Sequence, residues 1–93
     1  MIKPFKCKET ERIFWRLFSK KLPQNIQRSA LKKLWMINRS VSLDDLNIPP
    51  NNKLESLSGD RKGQHSIRIN EQWQICFKWK GNDAFDVEIV DYH

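Results

Sequence analysis

Cysteine and histidine are scarce in this 93-residue chain, with two of each. Cys7 and Cys76 lie far apart and show neither zinc-ligand nor CxxC spacing, so the pattern supports no structural metal site and no dithiol redox centre. A single disulfide between them is formally possible, and two free thiols in a reducing cytoplasm is the plainer reading. Long apolar runs are also missing. None approaches the ~18 residues that a membrane span requires. The opening Met1-Ile2-Lys3-Pro4-Phe5-Lys6 is basic, but it lacks the apolar stretch of a signal peptide. Internal repeats and low-complexity segments are absent as well. These absences lead to the expectation of a cytoplasmic chain with no membrane segment, no metal and no cofactor.

Length sets a further limit. Residues 1–93 suit one domain. A domain of this size leaves roughly a third or more of its unfolded-chain surface exposed, so a large enclosed cavity is not expected. Chemistry would take place on an open surface.

Aromatic and basic residues are plentiful: four Trp, five Phe, and 17 Lys and Arg against 11 Asp and Glu, for a formal charge of +6. The excess is uneven. Residues 1–40 hold eleven Lys and Arg but only Glu9 and Glu11 as acids, a surplus of nine. Residues 41–93 hold six bases and nine acids, a deficit of three. A basic half points towards polyanions, and it also suits a solvated surface.

The first half has helical periodicity. Ile13, Phe14, Leu17, Phe18 and Leu22 recur at i, i+4 spacing, with Thr10 as a possible cap. Pro23 suits the first turn of a second helix. Ile26, Ala30, Leu34 and Ile37 form its apolar stripe, and Leu31 and Trp35 flank it. Lys20, Lys21, Arg28, Lys32, Lys33 and Arg39 fall largely off the stripe, on solvated faces. Ser42-Leu43-Asp44-Asp45 resembles a capping box with Asp in place of Glu, and Ile48-Pro49-Pro50 then breaks regular structure.

The second half changes to period two. His65, Ile67 and Ile69 alternate with polar residues, as do Trp73, Ile75, Phe77 and Trp79, and then Phe85, Val87 and Ile89. This argues for half-buried antiparallel strands joined by hairpins at 70–72 and 81–83. Further extended pieces are expected at 53–57 and 2–5. The expected fold is α+β, with two amphipathic helices covering one face of an antiparallel sheet. The opposite face is expected to carry Arg68, Gln74, Cys76, Lys78 and Tyr92, open to solvent. The four tryptophans read as core or partner-facing aromatics, and His65, in register with Ile67, reads as structural.

Two constellations carry chemistry. Asp91-Tyr92-His93 ends the last strand. An imidazole titrates near pH ~6.5 and can act as acid or base at neutral pH. Asp91 would orient His93 and raise its pKa, and Tyr92 can hydrogen-bond a phosphate or stack on a base. Frayed polar residues are the alternative. The loop Ser58-Gly59-Asp60-Arg61-Lys62-Gly63 can approach a phosphate through its glycines, and Arg61 can grip it bidentately. An ordinary polar loop is the alternative. Metal-free RNA cleavage needs a base for the 2′-hydroxyl, an acid for the departing 5′-oxygen, and cations for the phosphorane. His93, Asp91, Tyr92, Arg61 and Arg68 are of the right types.

Five stretches together resemble a known family. They are Ile2-Lys3-x-Phe5-Lys6, Leu54-x-x-Leu57-x-Gly59-Asp60-Arg61-x-Gly63, Ser66-Ile67-Arg68-Ile69-Asn70, Gln72-Trp73-x-Ile75-Cys76-Phe77, and Val87-Glu88-Ile89-Val90-Asp91-Tyr92-His93. Over essentially its whole length the chain resembles the HigB toxins, the plasmid-maintenance killer proteins of the RelE superfamily. The resemblance implies a RelE-like fold and a type II toxin–antitoxin pair with a HigA-like helix-turn-helix antitoxin. It also implies ribosome-dependent cleavage of mRNA in the decoding A site, without a metal. Partners would be the ribosome with its 16S rRNA and the mRNA, and operator DNA only through the antitoxin. Carried over, Asp91, Tyr92 and His93 are the catalytic terminus, and Arg61 is a phosphate or RNA contact. Arg68, Lys53, Lys62, Gln74 and Lys78 are the further RNA-contact candidates. Ser58 and Gln74 depart from the family, where many relatives have Lys and Arg. Glu55 stands where one relative has His. These departures ground an alternative reading, a RelE-fold antitoxin-binding module with weakened or no nuclease activity.

Overall fold

The computed structural model describes residues 1–91. Helix α1 runs Lys8–Phe14 and α2 runs Gln24–Arg39. Four strands follow, β1 Glu55–Ser56, β2 His65–Arg68, β3 Trp73–Lys80 and β4 Asp83–Asp91. They form an antiparallel meander in the order β1-β2-β3-β4. Ile13, Phe14, Ile26, Leu34 and Ile37 from the helices bury against Ile67, Ile75, Phe77, Val87 and Ile89 from the sheet. The expected α+β layering is present.

The first helix is shorter than its periodicity suggests. Arg16 adopts a left-handed φ of 64°, and the chain leaves the helix. The indole N–H of Trp35 donates to the Phe14 carbonyl at 3.1 Å. Helix continuation would have given that acceptor to the N–H of residue 18. The Trp35 ring also stacks on Phe14 at 4.4 Å. The Arg12 guanidinium holds the Phe18 carbonyl, and the Gln27 amide bonds Ser19 and the Leu22 carbonyl. Side chains thus satisfy the connector's backbone, while Trp15, Leu17 and Phe18 lie exposed.

Thr10 is not a cap. It sits inside α1, fully buried, and its Oγ1 accepts the Ile89 N–H of β4 at 2.9 Å. Ile2 and Phe5 make isolated parallel bridges to Ala84 and Val87, so the opening segment runs along the outer edge of β4 without forming a full strand. Together these contacts close an edge that would otherwise present unpaired backbone groups.

Pro23 stands one residue before α2, as its N-cap. The stripe of Ile26, Ala30, Leu34 and Ile37 is buried as expected, but Lys33 is buried with it. Ser42 and Asp45 form the expected capping box at the start of the short 3₁₀ turn Leu43–Asn47. The Asp45 carboxylate accepts the Val41 and Ser42 N–H groups at 2.8 and 3.1 Å. These bonds hold its pKa below the usual value, most strongly the one from Ser42.

Two features of the sheet depart from strict alternation. The register between β3 and β4 shifts after Cys76, so that Cys76 faces Glu88 while Lys78 faces Phe85. The extra residue is taken up near Asp86, whose φ is 53°. This bulge puts Ala84, Val87 and Ile89 in the core, and Phe85 is left half-buried opposite Lys78. The second departure concerns the face away from the helices. Cys76 is fully buried there and Gln74 is 8% exposed, in place of the open surface expected. The loop 57–64 folds back over this face and Arg61 bonds Glu88 across it.

Candidate functional site

The polar sheet face is built in rows. Arg68, Gln74 and Val90 are paired across β2, β3 and β4 at one end. The next row is Ser66, Cys76 and Glu88. Asp91, at the end of β4, is paired with Trp73 and accepts a hydrogen bond from the Gln72 amide at 3.1 Å. The expectations placed on Tyr92 and His93 lie outside the described residues.

Arg61 is positioned by a short 3₁₀ turn, Gly59–Arg61. Gly59 starts the turn with φ of 65°, a backbone region that costs most other residues energy. The Arg61 Nη1 donates to Glu88 Oε1 at 2.9 Å and to Gln64 Oε1 at 3.1 Å. Lys6 reaches the same Glu88 oxygen at 3.8 Å. The hydrogen bond to Glu88 raises the guanidinium pKa further, so it stays charged. Both bonds use one nitrogen of a five-donor fork, leaving donors suited to a phosphate. Burial pushes the Cys76 thiol pKa up, with Arg61 opposing weakly, so this thiol rests protonated.

The structure brings Arg61, Gln74 and Arg68 to one face, near the end of β4 where Asp91 lies. Lys62 is exposed beside the Arg61 turn. Lys78 is exposed further along β3 and forms an ion pair with Asp86 at 3.5 Å. Lys53 lies elsewhere, in a groove beside α2, with a left-handed φ of 48°. Ser58 is exposed. Gln74 carries a buried Oε1 with no hydrogen-bond partner among the described residues, as does the Ser66 hydroxyl. His65 hydrogen-bonds Ser56 at 3.2 Å and packs near Phe77. Burial lowers its pKa, in keeping with a structural role.

Glu88 was hidden from sequence reasoning as a site residue. Its alternation placed it on the polar face, but nothing local joined it to Arg61, 27 positions away. Among the described residues no three His, Cys, Asp or Glu side chains gather as a metal-binding group. No helix among them is long and apolar enough to cross a membrane.

This architecture is that of the RelE-fold toxins. YafQ from E. coli strain BL21(DE3) superposes with a TM-score of 0.60 at 14% identity, covering 99% of this chain and 92% of that one. The YoeB–YefM complex from Staphylococcus aureus contains a chain matching at 0.57 and 18% identity, over 100% of this chain and 95% of the other. Residues 3–93 match the family of HigB-like toxins, described as the RelE-like toxin of the type II toxin–antitoxin system HigB. The chain belongs to that family.

Relatives agree. Toxin HigB-1 of Vibrio cholerae is 38% identical over 58 residues, covering 62% of this chain and 61% of that protein. Endoribonuclease HigB of Proteus vulgaris is 31% identical over 93 residues, the full length of both. The match thus spans less than two thirds of the Vibrio relative but the whole of the Proteus one.

Proposed function

We propose that this HigB-family toxin is an endoribonuclease that cleaves mRNA on the ribosome, in the decoding A site, and so stops translation. In this reading the 2′-hydroxyl next to the scissile phosphate attacks it, a cyclic phosphate forms, and the 5′-oxygen departs. His93 is the proton-transfer group, with Asp91 assisting it. Tyr92 contacts the RNA, and Arg61 and Arg68 offset the phosphorane charge. Lys62 and Lys78 contact the RNA more peripherally. The protein works in the cytoplasm, and a HigA-like helix-turn-helix antitoxin holds it in check.

One observation carries this reading most of all. Arg61, Arg68 and Gln74 converge on one sheet face at the end of the strand that leads into Asp91. Two guanidiniums thus share the face at the end of the strand that, in this reading, leads to the acid/base group.

The test is cleavage of mRNA on programmed ribosomes and of the same mRNA free in solution. Wild type should cut only the ribosome-bound message. His93→Ala should lose about 10²–10⁴-fold in rate, the usual range for a lost acid/base group. Equal cleavage by both proteins would remove His93 from the mechanism.

A second reading is favoured by Ser58 and by Gln74 Oε1, which has no hydrogen-bond partner among the described residues. It is an antitoxin-binding module with weakened or no nuclease activity. Silence of the wild type on ribosome-bound mRNA that a known relative cleaves would select it.

A further inference from the structure

Lys33 is a cation where a solvated helix face was expected. It is 8% exposed, within a helix segment that also buries Leu34, Met36 and Ile37. Its Nζ donates to Oδ1 of Asn52, which is fully buried. No carboxylate comes within ion-pair distance of it among the described residues. The Asn52 amide is already committed through Nδ2 to the Leu46 carbonyl at 3.1 Å and to Met36 Sδ at 3.2 Å. Among the described residues Lys33 therefore has one neutral partner and no counter-charge. Burial lowers its pKa, and the neighbouring charge of Lys32 adds to the effect. An ammonium in this setting gains most from an anion that reaches it.

The surface in front of Lys33 has room for one. A groove of about 470 Å³ runs between α2, the Pro49–Lys53 turn and the β2–β3 connection. Lys32, Lys33, Lys53 and Arg68 line it against a single acid, Glu71. Ser29 and Asn51 add neutral polar groups to its wall. The left-handed turn at Lys53 fixes the backbone from which that side chain extends. Arg68 belongs both to this groove and to the row Arg68–Gln74–Val90 of the candidate site.

We propose that this groove is a second anion subsite that holds a phosphodiester of the RNA strand, with Lys33 and Lys53 as its main cations. It rests on the nuclease reading for the identity of the strand. RNA whose scissile phosphate lies near Asp91 would pass Arg68 and place a flanking phosphate in the groove. A lysine ammonium suits that task, since it is a compact charge that needs no fixed phosphate orientation.

The probe is a labelled 2′-O-methyl single-stranded RNA of about ten nucleotides, a length within the usual range of single-strand sites. It cannot undergo 2′-hydroxyl attack, so binding is read without cleavage. Lys33→Met keeps the length of the stem and removes the charge. Its affinity should fall about fivefold to tenfold, and its salt slope should drop by about 0.7 for one lost single-strand phosphate contact. Its Tm should stay within a few degrees of wild type, because removal of the buried charge offsets the donor that Asn52 Oδ1 loses. Lys53→Ala should weaken binding similarly, and Lys80→Ala, at the exposed far end of β3, should leave it within about twofold. In spectra of the wild type, the Lys33 ammonium should shift as RNA is added. Wild-type affinity in both Lys33→Met and Lys53→Ala would overturn the subsite, as would a Lys33 signal that ignores the RNA. Inorganic phosphate that shifts Lys33 at the same concentration as the RNA would overturn its assignment to a strand. Absence of cleavage together with Lys33-dependent binding would count against the nuclease reading and support the subsite.

Discussion

Glu88 Oε1 lies 2.9 Å from Arg61 Nη1, joining the last strand to the Gly59–Arg61 turn across 27 positions of sequence. The Glu88 carboxylate is largely sheltered, at 16% side-chain exposure, and the guanidinium is less so at 36%. The pair straps the loop onto the sheet and covers Cys76. It also presents Arg61 at a set height above the face where chemistry is proposed.

Removal of the strap should loosen the loop. Glu88→Ala leaves Arg61 without its acceptor and should cost about 1–2 kcal/mol, discounted for the partial exposure of the pair. Glu88→Gln retains an acceptor and should cost less. Urea denaturation checks both. Equal midpoints for Glu88→Ala and wild type would show that the loop is held by other contacts.

Thr10 and Ile89 offer a cleaner measurement. Thr10→Val keeps the shape but removes the hydroxyl that accepts the buried Ile89 N–H. The orphaned donor should cost about 1–3 kcal/mol. Thr10→Ser retains the hydroxyl and should lose less. Hydrogen exchange at Ile89 is the specific readout, and it should quicken in the Val variant alone.

His65 makes stability pH-dependent. Burial lowers its folded pKa below the ordinary 6.5, so the unfolded chain binds its proton more readily. The folded state carries no penalty above pH 6.5. Stability then falls as pH drops through 6.5 towards the lowered folded value, and levels off below it. His65→Gln should flatten that part of the profile. An unchanged slope between wild type and variant would assign it to other groups.

Gln74 and Ser58 decide between the two functional readings. On the nuclease reading, wild type cleaves ribosome-bound mRNA, and Ser58→Lys with Gln74→Arg changes the rate by less than about tenfold, the equivalent of ~1.4 kcal/mol in the barrier. Gln74→Arg should also lower stability, because it places a second guanidinium beside Arg68 in one cross-strand row. A silent wild type with an active double variant would favour the antitoxin-binding module.

Much of this molecule was written in local patterns. The stripe Ile26, Ala30, Leu34 and Ile37 marked the buried face of α2, and period-two runs marked β2 and β3. Ser42 with Asp45 announced a capping box, because capping depends on residues three apart. The motif from Gly59 to Gly63 marks Arg61 as a site candidate in the sequence, while Tyr92 and His93 lie outside the described residues.

What escaped the sequence depended on distant partners. Phe14 and Phe18 carry the same helical spacing, but Trp35 of α2 takes the Phe14 carbonyl and the helix stops. Phe85 reads as core until the shift near Asp86 gives that place to Ala84. Cys76 reads as part of a wet face until Arg61 reaches Glu88 beside it, and Gln74 in the next row is buried as well. Periodicity and capping act within a few residues, so the order of helices and strands and most of their apolar faces are legible in the chain itself. Tertiary packing set where α1 ends, which polar groups are buried, and that Lys33 lines a groove with no carboxylate in ion-pair range of it among the described residues. Those outcomes arise from contacts between segments, whose geometry no local pattern specifies.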